Sequence, residues 1–410
     1  MQLSGIQITM VKPSTFLVIC VIIGGILPVS FSPLISRIYD PVSFSEIGKL
    51  MAYNALVIPL ISMRLDNVLL KAELDHRSEF YNVISFSSIN ALVIFLILLI
   101  PYLYGAVEYS LIVSVFSSLT VVILTSYVNF LTNKGEIKKI GFIKLFRPLF
   151  EVIFSMMLST FLIETGLLVS YFSSFLVIVG YFLITERFFF WKKANDYFIF
   201  LKRNLYFIKF ELPSGLFVSL SNNALFYGCL LMYSDEVLGY VAFAMKYLNA
   251  PLGLLSSSIT VLFRNNAVKE INSSGSSIYS FVKFFKLLLF LSLLFIFILF
   301  NSDYIFPIIF GEEWYEAGRI ASVVCFLFGI KIISTPLSSI LYILDLAKLR
   351  FILQFSVFIA SFLSISLAYW FSLGVYGYIY THTIILSSIY FLYLIVCYSA
   401  SLNGSNRRGG

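Results

Sequence analysis

Lys246 is the residue in this 410-residue chain whose position most needs a chemical reason. It falls inside an apolar run, 237–263, and at 1.5 Å of rise per residue it sits about 14 Å from the start of that run, near the middle of a membrane-spanning helix. Steps of three and four residues put Gly239, Ala242, Lys246, Asn249, Gly253 and Ser256 on one face, small and polar throughout. A charge at such depth is costly and by default faces a pathway rather than lipid. The stripe is therefore read as facing a cavity, in preference to a structural ion pair. Lys331 repeats the pattern in the run 314–344, with Ser334, Ser338 and Asp345 on its side. Both deep candidates are cationic, and no acidic residue is expected at the same depth. A cavity with fixed positive charge suits an anionic cargo such as a diphosphate or an acidic sugar. An exporter of cationic drugs would be expected to carry Asp or Glu there instead.

Arg64 and Asp66 form a second constellation, late in the run 46–70. They stand about 200° apart around a straight helix, so they cannot both face one cavity unless Pro59 distorts the geometry. Arg64 is read equally as a pathway residue or as a structural one, and Asp66 is the candidate for ion coupling. Gly48, Ala52, Ala55, Pro59, Ser62 and Asp66 share one small, polar face, which is expected to form part of a cavity wall. Asn54, Asn222, Asn223 and Asn249 are uncharged groups that could bind sugar hydroxyls or join helices; Asn222 and Asn249 are placed with the substrate-binding candidates. Arg37 and Arg319 lie near the ends of their runs.

The elements that must position these groups follow from composition. Sixty per cent of the residues are hydrophobic and 12% are charged, about half the charge of a soluble chain. Runs of roughly 20 apolar residues are needed to cross the hydrocarbon. Twelve are expected: 14–36, 46–70, 81–104, 109–131, 144–163, 167–187, 210–232, 237–263, 281–300, 314–344, 351–371 and 374–398. Connections after even-numbered runs carry Lys71, Arg77, Lys134, Lys138, Lys139, Lys192, Lys193, Arg264 and Lys348, whereas those after odd-numbered runs carry mostly Glu108, Asp235, Glu236, Asp303, Glu312 and Glu313, with Arg37 and Lys49 as exceptions. The positive-inside bias then places both termini in the cytoplasm. Met1–Val11 lacks the features of a removable signal, so the first run is retained as a helix.

A basic, aromatic segment at 191–209 is expected to lie in the headgroup layer as a cytoplasmic linker, dividing an N-terminal lobe (1–190) from a C-terminal lobe (210–400), with a disordered tail at 401–410. The halves echo one another: Gly48 and Pro59 answer to Gly239 and Pro251, and Lys12-Pro13-Ser14 to Leu212-Pro213-Ser214. Six runs per half give both lobes the same orientation, a parallel repeat whose substrate site lies between the lobes. The expected fold class is an all-α polytopic membrane protein with about 12 transmembrane helices in two parallel six-helix lobes around a central cavity.

Pro33-Leu-Ile-Ser-Arg-Ile-Tyr-Asp-Pro41, Arg64-Leu-Asp-Asn-Val68, Leu238–Pro251, Phe310-Gly-Glu-Glu-Trp-Tyr-Glu-Ala-Gly318 and Pro336-Leu-Ser-Ser-Ile-Leu-Tyr342 followed by Lys348 stand in an order that resembles the Wzx-type oligosaccharide-lipid flippases of polysaccharide biosynthesis, within the multidrug/oligosaccharidyl-lipid/polysaccharide exporter superfamily. An acid at Asp66 and a cation at Lys246 match that family in type. The resemblance implies a cargo of undecaprenyl-diphosphate carrying one oligosaccharide repeat unit, moved from the cytoplasmic to the periplasmic leaflet for O-antigen or a similar surface glycan. It also implies membrane lipids, the polysaccharide polymerase and the chain-length machinery as partners.

Two other classes fit the sequence less well. A membrane glycan polymerase is disfavoured by short outer connections and the presence of only two histidines, His76 and His382. A drug or ion antiporter of the same superfamily is disfavoured by the cationic midplane. Four cysteines, Cys20, Cys229, Cys325 and Cys397, lie within apolar runs and without ligand spacing. No metal, cofactor, nucleic-acid partner or enzymatic activity is expected.

Overall fold

A backbone that crosses hydrocarbon must satisfy its own N–H and C=O groups, and the helix does this within a single segment. In the computed structural model, residues 13–70, 76–162, 164–185 and 194–402 are described, and all regular structure among them is helical. The first half comprises α1 (Pro13–Ser30), α2 (Ser32–Ile35), α3 (Pro41–Ser62), α4 (His76–Leu103), α5 (Tyr109–Lys134), α6 (Ile137–Leu158) and α7 (Gly166–Thr185). The second comprises α8 (Ala194–Asn222), α9 (Ala224–Met232), α10 (Asp235–Ser274), α11 (Ile278–Phe300), α12 (Ser302–Phe310), α13 (Tyr315–Leu337), α14 (Ile340–Ile343), α15 (Ala347–Trp370) and α16 (Val375–Leu402).

Each of the twelve expected runs falls on a helix or a broken helix. Among the described residues nine helical segments are long and apolar enough to cross a membrane, and the pair α8–α9, bent by 62°, makes a tenth. The remaining two expected runs fall on α6 and α10, which carry charge within their length. Lys138, Lys139, Lys144, Arg147 and Glu151 lie on α6, and Lys246 and Asn249 on α10. The two halves repeat their packing. In the first, α1 packs on α6, α3 and α4 on α5, and α6 on α7; in the second, α8 packs on α15, α10 and α11 on α13, and α15 on α16. Numbered by span these are the same pairings, first with fifth, second and third with fourth, and fifth with sixth, as a parallel repeat requires.

Caps fix where the two central helices begin. Asp40 accepts a hydrogen bond from the Ser43 N–H at 2.9 Å and Pro41 fills the first turn of α3. Ser234 takes the same position before α10. The two starts lie together, and the core of the second half, centred on Trp314, Phe243 and Phe310, takes in Ile35, Tyr39, Phe44 and Ile47 of the first. Trp314 stacks on Phe243 at 3.8 Å, donates from Nε1 to the Ser36 carbonyl at 2.9 Å, and meets Phe44 edge-on at 5.0 Å. The halves are thus joined at the end of the bundle that carries the acidic turns. A separate aromatic core holds the first half, with Phe80 on Phe130 at 4.5 Å and Tyr127 on Phe182 at 4.1 Å.

Three sequence expectations change. The run 46–70 is not one helix: α3 stops at Ser62, Met63 and Arg64 adopt φ of 45° and 60°, and a 3-10 turn follows over Leu65–Leu70. Asparagines on neighbouring helices meet the carbonyls this break releases. Asn90 donates to Leu60 and Ile61 at 2.6 and 3.2 Å, Asn129 to Asp66 at 3.0 Å, and Asn133 to Leu69 at 2.9 Å. The small-residue face of α3 is a helix contact rather than a cavity wall, because Gly48 packs on Leu238 and Ala242 of α10, and Ala52 is buried with its carbonyl accepting from Tyr227. The segment 191–209 is not a separate linker from Ala194 onward, because α8 runs unbroken from there to Asn222. Residues 186–193 and the tail 403–410 lie outside the described residues.

Candidate functional site: a cationic cavity between the halves

Where the small-residue stripe of α10 leaves its contact with α3, it opens onto a cavity of about 950 Å³. Gly239 and Ala242 are spent on the contact; Lys246, Asn249 and Gly253, further along the same face, line the cavity. The opposite wall comes from the first half, from α1, α3, α5, α7 and α6, and its charged residues, Lys144, Arg147 and Glu151, all lie on α6. Close packing sets the rotation of α6. A β-carbon on Gly24 of α1 would lie 2.2 Å from the Lys144 carbonyl oxygen, so the two backbones touch. That contact leaves the face carrying residues 144, 147 and 151 turned inward.

Glu151 is the centre of the charge arrangement. One carboxylate oxygen lies 3.0 Å from Lys246 Nζ on α10, and the other lies 3.1 Å from an Arg147 nitrogen one turn back on α6. The Arg147 guanidinium also stands over the Phe175 ring at 4.8 Å and the Tyr171 ring at 5.9 Å, which holds it from the α7 side. Lys144, exposed within the same lining, adds a third cation. Three cations therefore line the cavity with one carboxylate, which is paired with two of them. Glu151 itself is 6% exposed, and a buried carboxylate holding two cations satisfies the requirement that buried charges be paired.

Lys246 and Asn249 line this cavity together. The expectation of no acid at their depth is overturned by Glu151, and Lys246 is both cavity-lining and ion-paired. The signal was present in Lys144, Arg147 and Glu151 at steps of three and four residues, one face of a helix. It was missed because the run was started at 144; α6 begins at Ile137, which places Glu151 about 21 Å along it, in mid-membrane.

The other candidates lie elsewhere. Lys331 does not line the large cavity, so the two lysines do not share it as expected. It sits within the second half, 5.3 Å from the Tyr390 ring centre and 5.8 Å from that of Phe328. Such contacts contribute ~0.5–2 kcal/mol each, less than the several kcal/mol that desolvating a lone ammonium costs. Asn222 lines a second cavity of about 180 Å³ in that half, with Ser221, Ser334, Ser338, Gln354 and Tyr390. Arg64 lies across the boundary against Gly215 of α8, its Nε buried without a partner. Asp66, past the end of the span, is buried, and burial pushes its carboxyl up against the opposing charge of Arg64. Asn54 joins helices, donating to Ser117 Oγ at 3.2 Å and accepting from Ser118 at 2.9 Å. Arg319 pairs with Glu316 at 3.3 Å and lies 4.2 Å from the Tyr376 ring centre.

No family sequence model matches the chain, and no curated protein matches it in sequence. In three dimensions it is similar to the lipid II flippase MurJ in an inward closed conformation, at 16% identity and a TM-score of 0.67, covering 96% of this chain and 90% of that one. It is also similar to MATE in complex with MaL6, at 12% identity and a TM-score of 0.55, covering 99% and 100%. An outward-facing multidrug resistance MATE family transporter of the MOP superfamily matches at 14% identity and a TM-score of 0.53, again over 99% and 100%. The shared property is the fold, that of polytopic, all-α flippases and transporters.

Proposed function

We propose that the chain is a flippase that carries an undecaprenyl-diphosphate-linked oligosaccharide repeat unit from the cytoplasmic to the periplasmic leaflet for O-antigen or a similar surface polysaccharide. The observation that carries this reading is the charge of the cavity, lined by Lys144, Arg147 and Lys246 and by a single carboxylate, Glu151, which pairs with Arg147 and Lys246. Charged and sugar groups cannot cross hydrocarbon unaided, whereas a polyprenyl tail can stay in lipid. A cavity of about 950 Å³ has the scale of a headgroup site, and its surplus positive charge suits a diphosphate. The MurJ likeness adds that this architecture serves a lipid flippase elsewhere.

In this reading Glu151 stands in for the cargo. With no cargo bound it pairs with both Arg147 and Lys246, one on each half, and leaves a net positive charge. An arriving diphosphate, with more charge and more acceptor oxygens, takes those cations over. The tie between α6 and α10 then passes from protein to cargo, and the halves rock about it to expose the opposite leaflet. The positive-inside bias puts the joined, acidic end of the bundle on the periplasmic side, so that cargo enters from the cytoplasm. A drug exporter with the same fold remains the rival, and the sign of the cavity charge argues against a cationic drug.

The test is reconstitution into vesicles with a fluorescent undecaprenyl-diphosphate oligosaccharide and a membrane-impermeant quencher to count flipped lipid. Lys246→Gln and the Lys144→Gln/Arg147→Gln pair should lower the flipping rate at least tenfold at equal protein. Flipping at the protein-free rate by the wild-type chain, or at the wild-type rate by the triple variant, would overturn the proposal.

A further inference from the structure

Lys331 has no carboxylate partner among the described residues, although it lies deep in the second half. Its aromatic contacts, at 5.3 and 5.8 Å, recover only part of the cost of removing an ammonium from water. Three hydroxyls on the same two packed helices are also unanswered. Ser334, one turn from Lys331 on α13, and Thr383 and Ser387 on α16 each have a buried oxygen with no hydrogen-bond partner. Thr383, Ser387 and Tyr390 follow steps of four and three residues, so they share a face of α16, and the Tyr390 ring shows that this face looks toward Lys331. Ser334 is 2% exposed and Thr383 is 4% exposed. The titratable neighbours on α16, His382 and Tyr390, bring no negative charge at neutral pH. His382 is already occupied by Ser364, at 2.8 Å. The adjoining 180 Å³ cavity shares Ser334 and Tyr390 and adds the amides of Asn222 and Gln354, with no acid in its lining.

Three buried hydroxyls without partners, beside a half-buried ammonium with no carboxylate, call for an occupant. Water would answer the hydroxyls but leave the ammonium's charge unbalanced. We infer that the seam between α13 and α16 is a binding site for a small anion, a halide or a phosphate group, held by Lys331 with Ser334, Thr383 and Ser387 and reached through the cavity that Asn222 lines. The site is separate from the cavity that holds Lys246 and does not depend on what that cavity transports.

Thermal unfolding of the purified full chain, in sodium chloride and in sodium gluconate at equal ionic strength, tests it. Chloride should raise the midpoint of the wild-type protein in a saturable way, with bromide and inorganic phosphate substituting. Lys331→Met should abolish the dependence, Lys331→Arg should retain it, and Thr383→Val should raise the half-saturating concentration at least threefold. Bromide soaked into crystals of the protein should give anomalous density between α13 and α16. In nanodiscs of phosphatidylglycerol, loss of the chloride response that returns in zwitterionic phosphatidylcholine would assign the anion to the phosphate of an anionic lipid; an undiminished response in both would assign it to the free ion. The inference is overturned if wild type and Lys331→Met respond identically to chloride, or if neither medium changes the wild-type midpoint.

Discussion

Pro41, at the start of α3, and Gly239, in the second turn of α10, touch so closely that a β-carbon on the glycine would lie 1.7 Å from the proline's carbonyl oxygen. A backbone atom cannot turn aside as a side chain can. Gly239→Ala should therefore push the two halves apart where they are joined, at a cost of ~1–3 kcal/mol. Gly215→Ala is the control. Its β-carbon would meet only the Arg64 side chain, at 2.7 Å, which can rotate away, so the expected loss is below about 1 kcal/mol. Thermal unfolding of the two variants checks the order, and equal midpoints would count against this contact as one that holds the halves together.

Lys49 ties the same boundary electrostatically. Its Nζ lies 3.1 Å from Glu46 on its own helix and 2.8 Å from Asp235 at the start of α10. Lys49→Met leaves the Glu46 carboxylate, 13% exposed, with only the Tyr109 hydroxyl at 2.6 Å, and should cost ~1–3 kcal/mol. Asp235 is half-exposed, so Asp235→Asn should cost less than about 1 kcal/mol, an effect that added salt screens. Unfolding midpoints at low and high salt separate the two.

The spans were legible in the sequence because apolar runs of bilayer length have few other readings, and Lys246 with Asn249 was legible because charge on a small-residue face is rarely accidental. What could not be read was which part of a small-residue face meets a helix and which part meets water. The stripe of α10 does both, changing role between Ala242 and Lys246, and that of α3 is a contact where a wall was expected. Glu151 was hidden by a misjudged helix start, and Lys331 looked equivalent to Lys246 because depth along a helix does not say which neighbour it faces.

Asn90, Asn129 and Asn133 drew no notice in the sequence, yet they answer the carbonyls freed where α3 gives way to the Leu65–Leu70 turn. Asn90→Leu keeps the volume but leaves the Leu60 and Ile61 carbonyls unmet in apolar surroundings, a loss of ~1–3 kcal/mol. Asn133→Leu likewise leaves the Leu69 carbonyl without its donor. Hydrogen exchange of the 60–70 segment should accelerate in both variants while α16, remote from the break, stays unchanged. Unaltered exchange at 60–70 would show that other donors hold the turn.

Glu151 gives the sharpest test of the idea that protein and cargo compete for the same cations. Glu151→Gln removes the charge between Arg147 and Lys246 while keeping its shape, so the empty protein should lose about 1–3 kcal/mol; a fully buried pair would lose more, but Arg147 is 25% exposed to the cavity. Inorganic pyrophosphate should restore that loss, and it should half-saturate the variant at a concentration about tenfold lower than the wild type, since it no longer has to displace a carboxylate, a difference of ~1.4 kcal/mol. Lys246→Gln should do the opposite and raise the half-saturating concentration. In the double variant the two losses of stability should fall short of additive, because each single change already breaks the same 3.0 Å pair. Equal pyrophosphate titrations for wild type and Glu151→Gln, followed by the shift in unfolding midpoint, would mean that the anion does not bind where the carboxylate sits.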